Sequence, residues 1–582
     1  WNTMLTSYNQ HDKSAITFQY FQHMLQDVVI PNKVTFSCIG DACVQASTTI
    51  ETKRIHARIV GNGLNSDVSI CNMLINMYAK CNNNLTDASS VFHEMMVRDV
   101  ISWTSLIAAS AQQGLGDSAV ILLVRMLMEG ELPNNVTFLN VIHACANNLL
   151  EEGKRLHVQA GGSSYKMDVM VGNSLIYMYG KCGNIVNARH MFDKMLTKDR
   201  ISWNSIISTY AQQGHTKEAL LMFREMHEDG MSPDRATIVS VLEACSHESA
   251  LTEGKQLHSH IKNSFLEIDS VIGSALVNFY GKCGSLEDAK EIFENVTNST
   301  VVIWTAMVSA YIQHLQYDNA IQVFDQMNQK GIIPDKFAFS TILSACLGQR
   351  ALVLGKRFHT CILGSTSKSE VTIGNALVSM YGRCGSLIEA GNVFKELLNQ
   401  TVVSWTAMMS ACTQSGQPKQ AFHYYEQMVL DGVQANKLTF ATLFDACASL
   451  AALTEGSYFY TLLVVDGIEP DVILATALIN LYSRCGYVED SQRVFDRMPK
   501  RNVALWNSII AAYYRQGDIN QVCNLFQQMQ KENIKPDELT FLSIISSFSH
   551  AGLVDEAYNY LNSMVYDHGL TPTIEHYNCM ID

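Results

Sequence analysis

No stretch of this 582-residue chain runs to the ~18 consecutive apolar residues that a membrane-spanning helix needs. No Cys-x-x-Cys pair and no His-Glu-x-x-His occurs, which argues against a zinc site within these residues. No other motif has catalytic spacing, and the recurring polar residues are spread along the chain instead of converging on a pocket. An enzyme within residues 1–582 is therefore not expected, and no cofactor is implied. Positive charge is also short. Lys and Arg number 41 against 55 Asp and Glu, a net −14, so bulk charge would not hold a polyanion and any nucleic-acid contact must come from a local face. Linkers and low-complexity segments are missing throughout. The chain begins at Trp1 and ends at Asp582, both inside helical patterns, as a fragment lacking both ends would.

What is present is regular. Tryptophan occurs only at Trp1, Trp103, Trp203, Trp304, Trp405 and Trp506, at intervals of about 101 residues. Two cysteine series keep the same count: Cys43, Cys145, Cys245, Cys346 and Cys447, then Cys81, Cys182, Cys283, Cys384 and Cys485. A single globular core does not space its residues this way, whereas a repeat array does. Members of one series lie three units apart along such an array and cannot bridge, so these cysteines read as buried, reduced thiols.

The period divides into helical hairpins. In 100–134, Trp103, Leu106, Ile107 and Ser110 keep one small or apolar face of a first helix, which Gly114 can close. Ala119, Leu122, Leu123 and Met126 form the stripe of a second helix, with Gly130 stopping it and Pro133 in the loop beyond. Units of about 35, 35 and 31 residues make up each period. They run 1–32, 33–67, 68–99, 100–134, 135–168, 169–199, 200–234, 235–269 and 270–300. The series continues 301–335, 336–370, 371–401, 402–436, 437–471, 472–502, 503–537, 538–573 and a partial 574–582. One residue is inserted at Cys81–Asn84, the unit at Asn135 is one short, and Ala435 stands where proline is usual.

Val301-Val-Ile-Trp-Thr-Ala-Met-Val-Ser-Ala-Tyr311, Gly281-Lys-Cys-Gly-Ser-Leu-Glu-Asp-Ala289 and Gly254-Lys-Gln-Leu-His258 resemble plant pentatricopeptide repeat proteins of the PLS subclass, over essentially the whole chain. The resemblance implies an all-α fold: an α-solenoid, a right-handed superhelix of about 18 helix-turn-helix repeats in canonical (P), long (L) and short (S) triplets. It also implies an organellar protein, of mitochondrion or chloroplast, that binds single-stranded RNA one repeat per base. Such a protein most often serves as the recognition arm of a C-to-U editing factor. Partners would be that RNA and other editing factors or a deaminase supplied in cis or in trans, with no membrane. Ile574-Glu-His-Tyr-Asn-Cys-Met-Ile-Asp582 is similar to the start of the last S repeat. The deaminase signature of His-x-Glu and Cys-x-x-Cys is not within these residues.

In this family the fifth and last residues of a repeat read the base. Carried over, Asn2 with Asn32 looks pyrimidine-selective. Asn72 with Asp99, Asn173 with Asp199, Asn204 with Asp234 and Asn507 with Asp537 look like uracil readers. Thr104 with Asn134, Thr406 with Asn436 and Thr476 with Asn502 look like adenine readers. Thr305 with Asp335 resembles a guanine reader and Asn375 with Thr401 a cytosine reader, while Ser274 with Thr300 suggests a purine. The L repeats carry Ser37, Leu139, Val239, Ser340, Ala441 and Leu542 at the fifth place, four of them unable to read an edge.

Asn, Thr and Ser near a helix start, and Asp before the next, are also ordinary N-caps. Fifth-place polarity is kept in every complete P and S repeat and lost in most L repeats, which capping alone does not require. A second series is basic: Lys80, Lys181, Lys282, Arg383 and Arg484, each the thirteenth residue of an S repeat. These are either solvated surface or a line of charge for RNA phosphates. His56, His157, His258 and His359 keep the period too, but Tyr460 takes the fifth place, which suits packing better than metal ligation. The tryptophans lie on the apolar stripe and read as core.

Two other functions compete with an editing factor. One is an organellar RNA processing, stability or splicing factor without an editing role. The other is a protein-binding helical scaffold, whose 34-residue unit does not match the alternation here.

Overall fold

The computed structural model describes every residue except 12, 47–48, 83–84, 147–148, 163–168, 248–249, 264–267, 297–298, 349–350, 366–369, 398 and 582. The end of the Cys81–Asn84 insertion and the unit boundaries at Asp168 and Asp582 lie outside the described residues. Thirty-five α-helices account for the described chain, without strands among the described residues. The fold is an all-α helical-repeat solenoid. By contacts it divides into two compact units, Trp1–Asn298 and Ser299–Asp582, each built in the same way.

One hairpin shows how local sequence sets the helices. Asp99 accepts from the Ser102 amide at 2.8 Å and starts the helix Val100–Gln112. Trp103, Leu106, Ile107 and Ser110 are buried along it. Gly114 turns the chain at φ +73°, in the left-handed region where an L side chain is strained. The second helix, Gly116–Met128, buries Ala119, Leu123 and Met126, with Leu122 half-buried, and Gly130 closes it at φ +85°. At the equivalent of Gly114 in the repeat 301–335 stands Leu315, held at φ +59°.

First helices form one layer within each unit. Val100–Gln112 packs on Asn135–Cys145, which packs on Val169–Lys181, and so on. Second helices form the other layer, each lying against its own first helix and, within a unit, against the next one. Where an S repeat meets a P repeat, a phenylalanine edge meets a tryptophan: Phe92–Trp103 at 4.7 Å, Phe192–Trp203 at 4.7 Å, Phe394–Trp405 at 4.8 Å and Phe495–Trp506 at 4.7 Å. Trp103, Trp203, Trp304, Trp405 and Trp506 are buried, as a core role requires, while Trp1 is exposed.

Where an L repeat meets an S repeat the clasp is polar. His56, His157, His258 and His359 each place Nδ1 at 2.8 Å from the hydroxyl of Tyr78, Tyr179, Tyr280 and Tyr381. These histidines are packing groups, and among the described residues no cluster of three or more His, Cys, Asp or Glu could hold a metal. Gly254 lies so close to the Phe279 ring that no Cβ fits, which is why the Gly-Lys-Gln-Leu-His segment opens on glycine.

The two cysteine series meet between neighbouring hairpins. Cys182 Sγ donates to the Cys145 carbonyl at 3.4 Å, and Cys384 Sγ to that of Cys346 at 3.9 Å. All described cysteines are free thiols. Burial pushes Cys145, Cys245 and Cys447 up to about 12 and Cys346 to about 11, so they stay protonated and inert. The side chain of Cys81 lies outside the described residues. Among the described residues, no helix is long and apolar enough to cross a membrane.

Candidate nucleic-acid interface

The last residue of a repeat is the N-cap of the next repeat's first helix. Asp199 Oδ1 accepts from the Ser202 amide at 2.8 Å, Asp234 Oδ1 from Thr237 at 3.0 Å, and Asp537 Oδ1 from Thr540 at 2.9 Å. Asn32, Asn134, Asn436 and Asn502 cap in the same way through their carbonyl oxygens, at 2.9–3.1 Å. Asp335 accepts from the Ala338 amide at 2.8 Å. The fifth residue is not a cap. It lies inside the first helix, as Asn204 does within Arg200–Gln212 and Thr305 within Val301–Gln313. Capping and reading are thus not rival descriptions of one residue, as position in the sequence suggested. Only the last residue caps.

In five repeats the fifth and last residues are hydrogen-bonded to each other. Asn Nδ2 donates to the Oδ1 of its partner in Asn2–Asn32 at 3.0 Å, Asn72–Asp99 at 3.2 Å, Asn173–Asp199 at 3.1 Å, Asn204–Asp234 at 3.1 Å and Asn507–Asp537 at 2.9 Å. Burial raises the carboxyls of Asp99, Asp199 and Asp234, but the amide and hydroxyl bonds they accept outweigh it and hold all three below the usual range. They are ionised at neutral pH. The cap bonds from Ser102, Ser202 and Thr237 all fall on Oδ1, and the Ile101 and Ile201 amides also help to lower Asp99 and Asp199.

The threonine and serine pairs are arranged differently. Thr305, Thr406, Thr476 and Ser274 return their hydroxyls to the carbonyl four residues back, at 2.8, 2.8, 2.7 and 2.6 Å. Thr104 and Thr406 also meet the hydroxyls of Thr137 and Thr439, at 2.7 and 3.0 Å. The Asn375 carbonyl is buried without a partner, as are those of Asn72 and Asn173. Thr401 and Thr300 precede the helices Val402–Gln414 and Val301–Gln313.

Two cavities open on the first-helix layer of the unit Trp1–Asn298. One, of about 550 Å³, is lined by Asn72, Thr104, Asn134 and Lys80, which places two fifth residues, one last residue and one basic residue on the same surface. The other, of about 340 Å³, is lined by Asn204 and Lys181.

The basic series is not uniform. Lys80, Lys181, Lys282 and Arg484 are exposed and form no ion pair within 4 Å among the described residues. Lys80 lowers the burial-raised carboxyl of Asp41, and Arg484 does the same for Asp445. Arg383 is half-buried, its guanidinium donating to the carbonyls of Leu343 and Ser344 at 3.2 and 3.4 Å, so its charge is used inside the fold. Arg515 was not in the series. It holds the thirteenth place of the repeat 503–537, where other P repeats have glutamine, and donates to Ser483 Oγ at 3.0 Å. Burial and the charge of Arg484 both lower it.

The PPR repeat family model matches residues 198–247, 299–348, 400–449 and 501–550. The PPR repeat model matches 101–131, 173–199, 274–299, 375–401, 474–503 and 539–568. A pentatricopeptide repeat-containing protein of Arabidopsis thaliana is 33% identical, over 91% of this chain and 77% of that one. A second from the same plant is 29% identical over the whole chain and 61% of its own length. A third, named chloroplastic, is 32% identical over 87% of this chain and 82% of that one; other relatives are named mitochondrial. The chain thus spans about three fifths to four fifths of these curated relatives. The crystal structure of the pentatricopeptide repeat protein PPR10 from maize has a TM-score of 0.45 and 18% identity, covering 97% of this chain and 88% of that one.

Proposed function

This chain belongs to the pentatricopeptide repeat family, and from that premise we propose that it binds single-stranded RNA by sequence, with one P or S repeat per base. The names of its relatives make it an organellar protein, of mitochondrion or chloroplast. Its first-helix layer would carry the RNA, with fifth and last residues facing the bases and Lys80, Lys181, Lys282 and Arg484 near the phosphates.

The capping bond carries this reading, because it decides which atom each last residue offers. A capping Asp spends Oδ1 on the helix and offers Oδ2, an acceptor. A capping Asn must turn its carbonyl to the helix amide and therefore offers its NH2, a donor. Uracil N3–H and guanine N1–H are donors, whereas adenine N1 and cytosine N3 are acceptors. Asp then suits uracil or guanine, and Asn suits adenine or cytosine. The fifth residue chooses between the two: the longer Asn leaves room for a pyrimidine and supplies an N–H to O4, while the shorter Thr leaves room for a purine. L repeats, with apolar groups at most fifth places, act as spacers.

With RNA running parallel to the protein, the target reads 5′-Y-N-U-A-N-U-U-N-R-G-N-C-A-N-A-U-N-3′, with N under the L repeats. Recognition of this target would serve C-to-U editing, the deaminase being supplied in cis or in trans. Processing, stability or splicing of a transcript is the second reading, and both rest on the same RNA contact. Selection from random single-stranded RNA should enrich U-A-N-U-U near the 5′ end. An unrelated enriched motif would reject the assignment. Duplex RNA of the same sequence should bind poorly, since its base edges are already paired.

A further inference from the structure

We infer that the third residue of the repeat that follows is a positioning residue for base choice, acting through the amide of the fifth residue. This rests on the base-reading proposal above and adds a group to it that neither member of the reading pair contains. At five of the six places where a P repeat is followed by an L repeat, that third residue is a buried threonine: Thr35, Thr137, Thr237, Thr439 and Thr540. Each hydroxyl reaches back to the fifth residue of the preceding repeat. Thr35 to Asn2 is 2.7 Å, Thr237 to Asn204 is 2.6 Å, and Thr540 to Asn507 is 2.6 Å. In Thr137–Thr104 and Thr439–Thr406 the two hydroxyls meet at 2.7 and 3.0 Å.

At Asn204 the bonds close a ring. Thr237 Oγ1 lies 3.0 Å from Asp234 Oδ1 but only 2.6 Å from Asn204 Oδ1 and gives its one proton to the nearer, Asn204 Nδ2 donates to Asp234 Oδ1, and the Asp234 amide donates to Thr237 Oγ1 at 3.0 Å. The Asn204 amide is held at both ends and cannot flip, which keeps its second N–H free as a donor on a fixed side. A donor at that place matches uracil O4 and opposes the cytosine amino group.

The chain supplies its own contrast. At the two S-to-P junctions that follow an Asn–Asp pair, the third residue is Ser102 or Ser202, whose hydroxyl bonds the cap, at 2.8 and 2.9 Å from Asp99 and Asp199. The carbonyls of Asn72 and Asn173 are left buried without a partner. Those amides are held at one end only. At Thr305 the following third residue is Ala338, which has no hydroxyl to give, and Thr305 bonds only its own helix. The same pair, Asn with Asp, is therefore more firmly oriented at Asn204 and Asn507 than at Asn72 and Asn173.

The test is competition binding of the full chain to two RNAs differing only by U or C at base seven. Wild type should prefer U. Thr237→Val keeps the branched shape and the backbone cap donor but removes the hydroxyl. It should cut the U-to-C ratio by about three- to tenfold, the worth of one ordinary hydrogen bond. The ratio at base sixteen should stay unchanged in that variant, and Thr540→Val should do the reverse. Thr237→Ser, which retains the hydroxyl, should keep most of the preference. A purely structural role would lower the melting temperature and the affinity for all RNAs alike, leaving both ratios intact, and that result overturns the inference. Wild type without any preference at base seven would instead overturn the base-reading proposal, and this inference with it.

Discussion

Junctions between an S and a P repeat and junctions between an L and an S repeat join the same kind of hairpin by opposite means. The first is an apolar clasp, such as Phe192 against Trp203 with ring centroids 4.7 Å apart. The second is a hydrogen bond between two titratable rings, such as His258 and Tyr280 at 2.8 Å. The apolar junction also leads into a proposed reading residue, since Asn204 follows Trp203 directly, while the L repeat that supplies the histidine has Val239 at its fifth place. Position along the triplet thus separates two tasks. P repeats carry the aromatic core beside a polar fifth residue, and L repeats carry a polar joint and mostly apolar fifth residues.

The largest effect expected from breaking this contrast is at the tryptophan. Trp203→Ala removes a fully packed indole and leaves a cavity, which should cost about 3–5 kcal/mol. Tyr280→Phe keeps the ring and deletes one hydroxyl, for a loss of about 1 kcal/mol. Chemical denaturation of both variants measures the two. Equal losses would show that the polar clasp is worth as much as the aromatic one.

The next effect is on base choice. Asn204 with Asp234 offers a donor and an acceptor, whereas Thr305 with Asp335 differs only at the fifth place. Asn204→Thr should therefore turn the preference at base seven from U toward G, with discrimination of about 1–3 kcal/mol by analogy with base contacts in DNA. Val239→Ala, at the spacer, should leave every preference unchanged. Competition between RNAs differing at base seven or base eight decides this, and retention of U by a folded Asn204→Thr protein would reject reading at that site.

The architecture was legible in the sequence because each repeat reuses one solution. Trp103 and its periodic equivalents, the stop at Gly130 and the apolar stripe of Ala119, Leu123 and Met126 fix the helices without reference to the rest of the chain. What was hidden joins residues in neighbouring hairpins. Cys145 and Cys182 belong to two separate series in the sequence and meet only when L and S repeats stack. Thr237 escaped notice because it belongs to the repeat after the one whose amide it orients. Arg383 shares its spacing with Lys282, yet its longer, forked head reaches helix carbonyls that a solvated lysine does not. Spacing names the residue and its face. Its partner is decided by the packing of the next hairpin.

Acid should sharpen the contrast between junctions. Burial lowers His56, His157, His258 and His359, so the folded chain favours neutral imidazoles while the unfolded chain protonates near pH 6.5. The unfolded state therefore binds more protons as the pH falls below that value. The stability of these joints is complete above about pH 6.5 and is lost progressively toward pH 5. Asp99, Asp199 and Asp234 do not contribute in this window, because their lowered carboxyls stay ionised. The fifth L–S joint carries Tyr460 in place of histidine, so His258→Tyr copies a solution already in the chain. Melting temperature should drop from pH 7 to pH 5 in wild type and drop less in His258→Tyr. An identical drop would assign the acid sensitivity elsewhere.

The smallest effect lies inside a hairpin, away from both kinds of junction, and calibrates them. Gly114, Gly214, Gly416 and Gly517 turn their P repeats at φ between +73° and +78°, where glycine carries no Cβ penalty. Leu315 makes the same turn at φ +59° with a branched side chain that is largely exposed and adds little burial in return. Left-handed backbone costs an L residue roughly 1–2 kcal/mol, partly offset by the greater freedom glycine gains when unfolded. Leu315→Gly should therefore stabilise the protein by about 0.5–1 kcal/mol, seen as a rise in melting temperature with RNA affinity and the pH dependence unchanged. A fall in melting temperature would mean that Leu315 contributes packing which outweighs its backbone strain.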